Sequence, residues 1–168
     1  MIDADTSLNL PDFRAGERTF QLLSQVAGRA GRGPGGGRVI IQTYSPQHYA
    51  IKAASGHDYA LFYEKEIAYR RLLGNPPFNQ LARLVYGHPN DIRARQEAEN
   101  LKRKLVTEIA ARGIEATTVL GPAPAFIPRL RGSYLWQLVL RGRQLSRLLG
   151  QLDPPRGWAV DIDPVGLT

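Results

Sequence analysis

The sequence predicts a mixed fold, α/β of the α+β kind, and three observations predict it. An early helical period runs into a glycine tract and is followed at once by a β-branched run. Gly74-Asn75-Pro76-Pro77 then breaks the chain into two regions. Beyond that break, strand-like and helix-like patterns follow one another in the order β-α-β-β-α-β.

Taken in order, residues 1–10 form an extended segment. Asp12, after Pro11, is an N-cap, and a helix runs over 13–32 with Leu22, Val26 and Ala30 at i, i+4 and i+8 on one face. The tract 33–37, GPGGG, ends it in a loop, and Val39–Thr43 is predicted as a short buried strand. Ser45 with Pro46 next to it starts a helix to Ala54. Ser55-Gly56 breaks that helix, and Asp58 caps another that runs to Leu73.

The second region opens with a strand over 79–86. A long amphipathic helix over 91–112 has Ile92, Ala98, Leu101, Leu105 and Ile109 as its apolar stripe and Gly113 as its stop. Residues 115–120 form a strand, GPAPAFIPRLRGS a proline-rich loop, 134–140 a third strand, 143–152 a short helix and 158–163 a fourth strand. This order is that of a ferredoxin-like split unit.

Composition excludes several classes. No apolar run reaches about 18 residues, so no membrane span is expected. The acidic start MIDADTSLNL is no secretory signal, and with cysteine absent a cytoplasmic location is expected, without disulfides or thiolate metal sites. His48, His57 and His88 lack the spacing of a zinc pair, so no metal site is expected in this chain. His48 and His57 are read as cap or packing residues. The net charge of +7 rests mostly on arginine, whose planar donor fork suits phosphate and points to nucleic acid.

One cluster stands out. Gln25, Arg29 and Arg32 lie at i, i+4 and i+7, on one face of the first helix. Gly28 and Gly31 beside them let a ligand or another backbone approach closely. An amide and two guanidinium groups bared in this way suit a polyphosphate. The same string also reads as flexible basic surface.

A second cluster lies in the last domain: Arg129, Arg131, Tyr134, Trp136, Arg141, Arg143 and Arg147. Arginines interleaved with aromatics suit a nucleic-acid surface, with Arg129 and Arg131 preferred as DNA contacts. Tyr134 and Trp136 share a strand face with Leu138, and core packing is the reading favoured for both. Tyr59, Phe62, Tyr63 and Tyr69 are predicted to form a packing stripe, and Glu66 with Arg70 an ordinary helix-face pair.

The string Q-V-A-G-R-A-G-R at 25–32 resembles the last motif of superfamily 2 helicases, Q-x-x-G-R-x-G-R. With it stand D-A-D at 3–5, L-P-D-F-R-A-G-E-R at 10–18, V-I-I-Q-T-Y at 39–44 and P-x-H at 46–48. Further along come E-x-x-Y-R-R-L-L-x-x-P-P-F at 66–78, V-L-G-P-A-P-A at 119–125, R-G-S-Y-L-W-Q-L at 131–138 and D-I-D-P at 161–164. Together these resemble the bacterial replication-restart helicases of the primosomal protein N′ (PriA) family over essentially the whole chain.

The resemblance implies three parts: the end of a second RecA-like helicase lobe at 1–44, a helical linker at 45–77 and a C-terminal DNA-binding domain at 78–168. It implies an ATP-dependent DNA helicase that recognises stalled forks and starts primosome assembly. Arg29 and Arg32 would face the ATP γ-phosphate, Arg32 as the preferred finger. Gln25 and Gly28 would lie against the nucleotide. Asp3 and Asp5 would couple the nucleotide site to the DNA path, although two acids at a strand end also read as plain N-caps. The DNA-binding set would be Arg129, Arg131, Tyr134, Trp136 and Arg143. Partners would be forked and single-stranded DNA, the single-stranded-DNA-binding protein with its acidic tail, and other primosome proteins.

The family's phosphate loop does not occur here. None of Lys52, Lys65, Lys102 and Lys104 follows a glycine, and no Asp-Glu pair exists to hold magnesium. ATP and Mg2+ are therefore expected to bind only with a further lobe, and the family's zinc-binding cysteines would lie upstream. The chain alone is expected to be inactive as an ATPase. Two function classes follow: part of a helicase motor, or a standalone nucleic-acid- or partner-binding module.

Overall fold

A computed structural model describes residues 2–30, 38–114 and 116–167. The chain divides into two compact units, Met1–Leu72 and Leu73–Thr168. The fold is mixed α and β, and its larger sheet has four antiparallel strands.

In the first unit the chain runs β1 (Ile2–Asp3), α1 (Asp5–Leu8), α2 (Ala15–Ala30), β2 (Ile41–Gln42), α3 (Tyr49–Ser55) and α4 (Tyr59–Leu73). Residues 1–10, expected as extended, contain the helical turn α1 because Asp3 caps it: its carboxylate accepts the Asp5 N–H and the Thr6 hydroxyl, each at 2.9 Å. Asp12 closes the turn before α2 by accepting the Arg14 N–H at 2.9 Å. The strand expected at 39–43 shortens to Ile41–Gln42, parallel to β1, and is only half-buried: Ile41 packs against the core and Gln42 is exposed, as is Ile40 just before it. Ser45 does not cap α3. His48 does, its Nδ1 accepting the Ala50 N–H at 3.2 Å, and burial lowers the pKa of this imidazole. Asp58 caps α4 as its position predicts, accepting the Leu61 N–H at 2.8 Å.

Phe20, Leu23, Ala50, Ile51, Ala53, Ala54 and Phe62 form the core of this unit, so α3 and α4 share a core with α2. Phe62 stacks on Phe20 with centroids 4.2 Å apart. The tyrosines expected beside it in a packing stripe are not buried: Tyr59, Tyr63 and Tyr69 are all about half exposed or more, although the Tyr59 ring lies 6.1 Å from that of Phe20. Phe62 alone of the four fills the core.

Beside that core lies a charged network that the sequence does not announce. Arg70 donates to Glu66 at 2.7 Å and to Glu17 at 2.8 Å, and the Tyr49 hydroxyl donates to Glu66 at 2.6 Å. Arg14 binds Glu17 with two donors, at 2.8 and 2.9 Å. Hydrogen bonds from Arg14 and then Arg70, against the cost of burial, hold the Glu17 carboxyl down to about 2. Burial, reinforced by the Glu66 carboxylate, raises the Tyr49 phenol well above its ordinary value. Glu66 and Arg70 are thus no ordinary surface pair. A Cβ on Gly16 would stand 2.6 Å from the Tyr49 hydroxyl oxygen and 3.0 Å from Glu66, so the network closes only over a glycine.

The second unit runs β3 (Gln80–His88), α5 (Asp91–Ala111), β4 (Thr118–Leu130), β5 (Ser133–Gly142), α6 (Leu145–Leu152) and β6 (Trp158–Ile162). The sheet order is β4-β5-β3-β6, with every neighbouring pair antiparallel. Asn90 caps α5, and Arg112 with Gly113 at φ +60° ends it. Ala94, Ala98, Leu101, Leu105 and Ile109 face the core, whereas Ile92, expected in that stripe, is 68% exposed. Of these, Leu101, Leu105 and Ile109 meet Ala82, Leu84, Leu138, Leu140, Leu145, Leu148 and Leu149. Burying one such leucine completely contributes about 2 kcal/mol.

The proline-rich loop expected at 121–133 is mostly strand: β4 continues to Leu130. The prolines are tolerated because β4 is an edge strand that pairs only with β5, so their missing N–H groups cost the ladder little.

Candidate nucleic-acid interface

Alternation along β5 sends Tyr134, Trp136, Leu138 and Leu140 to one side of the sheet. Leu138 and Leu140 are fully buried, and Tyr134 and Trp136 continue that row towards the hairpin end, where burial is only partial. Each ring carries an arginine. The Arg129 guanidinium lies 5.0 Å from the Tyr134 centroid and that of Arg95 5.8 Å from the Trp136 ring. Trp136 Nε1 donates to Asp91 at 2.8 Å, which fixes the indole against the start of α5. Asp91, Ile92, Arg95, Gln96, Glu99 and Trp136 surround a concavity of about 340 Å³.

Arg131 and Gly132 form the two-residue turn between Leu130 and Ser133, with φ +49° and +83°. Both values are those of a tight hairpin turn in which Asn-Gly is the usual pair. Arginine in this left-handed conformation is strained. Arg129, Arg131 and Arg143 are all exposed.

Arg143 is not part of this cluster. It follows the other end of β5, about 30 Å along the strand from Tyr134. There it joins Arg112 and Arg147, with Gln144 and Gln151, around a concavity of about 520 Å³ above Ile114 and Leu148. Arg112 donates to Gln151 at 2.9 Å and pairs with Glu108 at 3.2 Å. Arg141 points back to the chain and donates to the Leu73 carbonyl.

In the first unit, Gln25, Gly28 and Arg29 are exposed on the last turns of α2, and Arg29 makes no ion pair with a described residue. Arg32 and Gly31 lie outside the described residues. Asp3 and Asp5 use their carboxylates internally. Asp3 caps α1, and Asp5 accepts the Thr43 hydroxyl at 2.7 Å and the Tyr44 N–H at 2.8 Å. Among the described residues no cluster of three His, Cys, Asp or Glu could hold a metal. No described helix is long and apolar enough to cross a membrane.

Sequence reasoning missed Arg95 and Arg112, which serve the two concavities. Arg95 is four residues after Asp91, but only the packing of α5 on β5 reveals that both address Trp136.

Comparison with known proteins identifies the family. Residues 71–165, more than half of the chain, match the family described as Primosomal protein N C-terminal domain. The chain is 42% identical over 148 residues to Replication restart protein PriA of Bacillus subtilis (strain 168), covering 88% of this chain and 18% of that one. It is 40% identical over 173 residues to the protein of that name from Treponema pallidum (strain Nichols), covering 98% and 26%. To its counterpart from Synechocystis sp. it is 34% identical over 174 residues, covering 99% and 20%. The chain thus spans about a fifth to a quarter of the length of these relatives. By the match over residues 71–165 and by these identities, the chain belongs to the PriA replication-restart family.

Proposed function

We propose that this chain is the C-terminal part of an ATP-dependent DNA helicase that recognises stalled forks and starts primosome assembly. Its own contribution is to grip DNA through Arg129, Arg131, Tyr134 and Trp136. The observation that carries this reading is the arginine–aromatic pairing at the hairpin end of β5, where Arg129 stands over Tyr134 and Arg95 over Trp136. Exposed guanidinium groups take phosphates, and half-buried rings offer a surface to a base.

The remaining assignments rest on the family. Residues 78–168 are a ferredoxin-like DNA-binding domain, a reading supported by the order β-α-β-β-α-β and the sheet order β4-β5-β3-β6. Residues 1–44 are the end of a second RecA-like lobe, joined to it through the helices of 45–77. Gln25, Gly28, Arg29 and Arg32 form the face turned to ATP, and the exposure of the first three supports this. Asp3 and Asp5 couple that face to DNA, Asp5 by holding residues 43 and 44 and Asp3 by holding the start of α1, in keeping with their hydrogen bonds. ATP and Mg2+ act only with a further lobe, zinc belongs to an upstream segment, and the protein works in the cytoplasm. The three arginines around the Arg143 concavity suit the acidic tail of the single-stranded-DNA-binding protein.

Fluorescence anisotropy of the purified chain with forked, single-stranded and duplex DNA across a salt series tests the central reading. The expected result is binding that weakens steeply with salt and is lowered in Arg129→Ala and Arg131→Ala. Absence of binding at low salt refutes it.

A further inference from the structure

The β4–β5 hairpin carries features that phosphate contact does not use. Pro124 pairs with Trp136 and Arg129 with Tyr134. Between these pairs β4 has four residues, Ala125 to Pro128, and β5 has only Leu135. A bulge of this size re-aims side chains away from the ladder. Ala125 turns in and is buried, while Phe126 and Ile127 are 50% and 57% exposed. Leu130, at the turn, is 52% exposed. The end of the hairpin is therefore apolar, and it is interleaved with two arginines. One of these is set on Tyr134, and the other is kept in a left-handed turn position where folding alone favours asparagine.

Another strand is a poor occupant for this apolar edge. Pro122, Pro124 and Pro128 have no N–H to offer, so β4 is blunted against pairing with a second chain. The arginines select an anionic occupant that also has flat apolar faces, and a DNA base step meets both needs.

We infer that the β4 bulge, just before the turn of the β4–β5 hairpin, is a wedge that inserts Phe126 and Ile127 between base pairs where duplex DNA opens into single strands. This inference rests on the DNA-binding reading above. Apolar wedges of this kind unstack a base step, and flanking cations hold the phosphates on either side. Here Arg129 and Arg131 hold the backbone, and the bulge supplies the wedge.

The test uses the purified chain and a fork carrying 2-aminopurine, whose fluorescence rises on unstacking, at the junction pair. Binding is followed by anisotropy on the same DNA. Wild type is expected to bind and to brighten the junction probe, with no change for a probe placed well inside the duplex arm. Phe126→Ala/Ile127→Ala is expected to keep its affinity within about threefold, because phosphate contacts dominate it, and to lose most of the brightening. The single variants Phe126→Ser and Ile127→Ser, with circular-dichroism melts, separate loss of the wedge from loss of the fold. Binding by wild type without brightening, or equal brightening by the folded variants, overturns the wedge and leaves DNA binding standing. No binding by wild type removes both.

Discussion

Arg70 lies 5.4 Å from the ring centroid of Phe13, and Arg129 lies 5.0 Å from that of Tyr134. The two arginines look alike up to that point. Arg70 is also bound by Glu17 and Glu66, and its side chain is only 13% exposed. Arg129 is exposed and makes no ion pair with a described residue. In the first unit the charges of Arg14 and Arg70 are cancelled within the fold and serve to fix α2, α3 and α4. In the second unit the core is leucine and alanine, and the charge is left on the outside. The difference separates arginines that hold the protein together from arginines available to a ligand.

The comparison can be broken from either side. The largest effect is expected in the leucine core: Leu138→Ala, at a fully buried position, costs about 3 kcal/mol in urea unfolding. Arg70→Ala comes next, again about 3 kcal/mol, because it leaves the nearly buried Glu66 carboxylate without its cation; a melt unchanged from wild type would show the network to be ornamental. Gly16→Ala drives a methyl into the Tyr49 hydroxyl and is expected to cost about 2 kcal/mol, read in the same unfolding curves.

A pH effect follows from Glu17. Its folded pKa of about 2 lies below the ordinary 4.5, so the stability it contributes is complete above pH 4.5 and is lost as the pH falls towards 2. The urea midpoint of the wild type should decline through that window, and Glu17→Gln should flatten the decline. The smallest effect on stability belongs to Arg129→Ala, expected within about 0.5 kcal/mol of wild type. Its expected mark is instead on binding, where the slope of log affinity against log salt falls by about one. A large loss of stability in that variant would erase the contrast with Arg70.

How much of this was legible depends on how local the cause is. The α5 stripe from Ala98 to Ile109 and its stop at Gly113 are written in one stretch of chain, and both are found in the structure. The Asp58 cap is local too. The strand through Pro122, Pro124 and Pro128 was not legible, because proline is tolerated there only on account of what lies beside β4, and sequence does not give neighbours. The charged network hid for a similar reason. Glu66 and Arg70 at i, i+4 read the same on a wet face as in a buried one, and Glu17 joins them from 53 residues away. In the candidate site, Arg129, Tyr134 and Trp136 could be picked out as a pattern along the chain. Their separation from Arg143 follows only from the length of β5.

The Asp5 carboxylate, which holds Thr43 and Tyr44, has a use of its own. Tyr44 is 95% exposed, so its side chain reports on nothing but solvent. Its amide proton belongs to a bond that spans 39 positions of chain, and that proton exchanges when the Asp5 carboxylate releases it. Hydrogen exchange at this one amide therefore times how often the start of α1 lets go of the chain after β2, from a residue that a map of the surface would pass over.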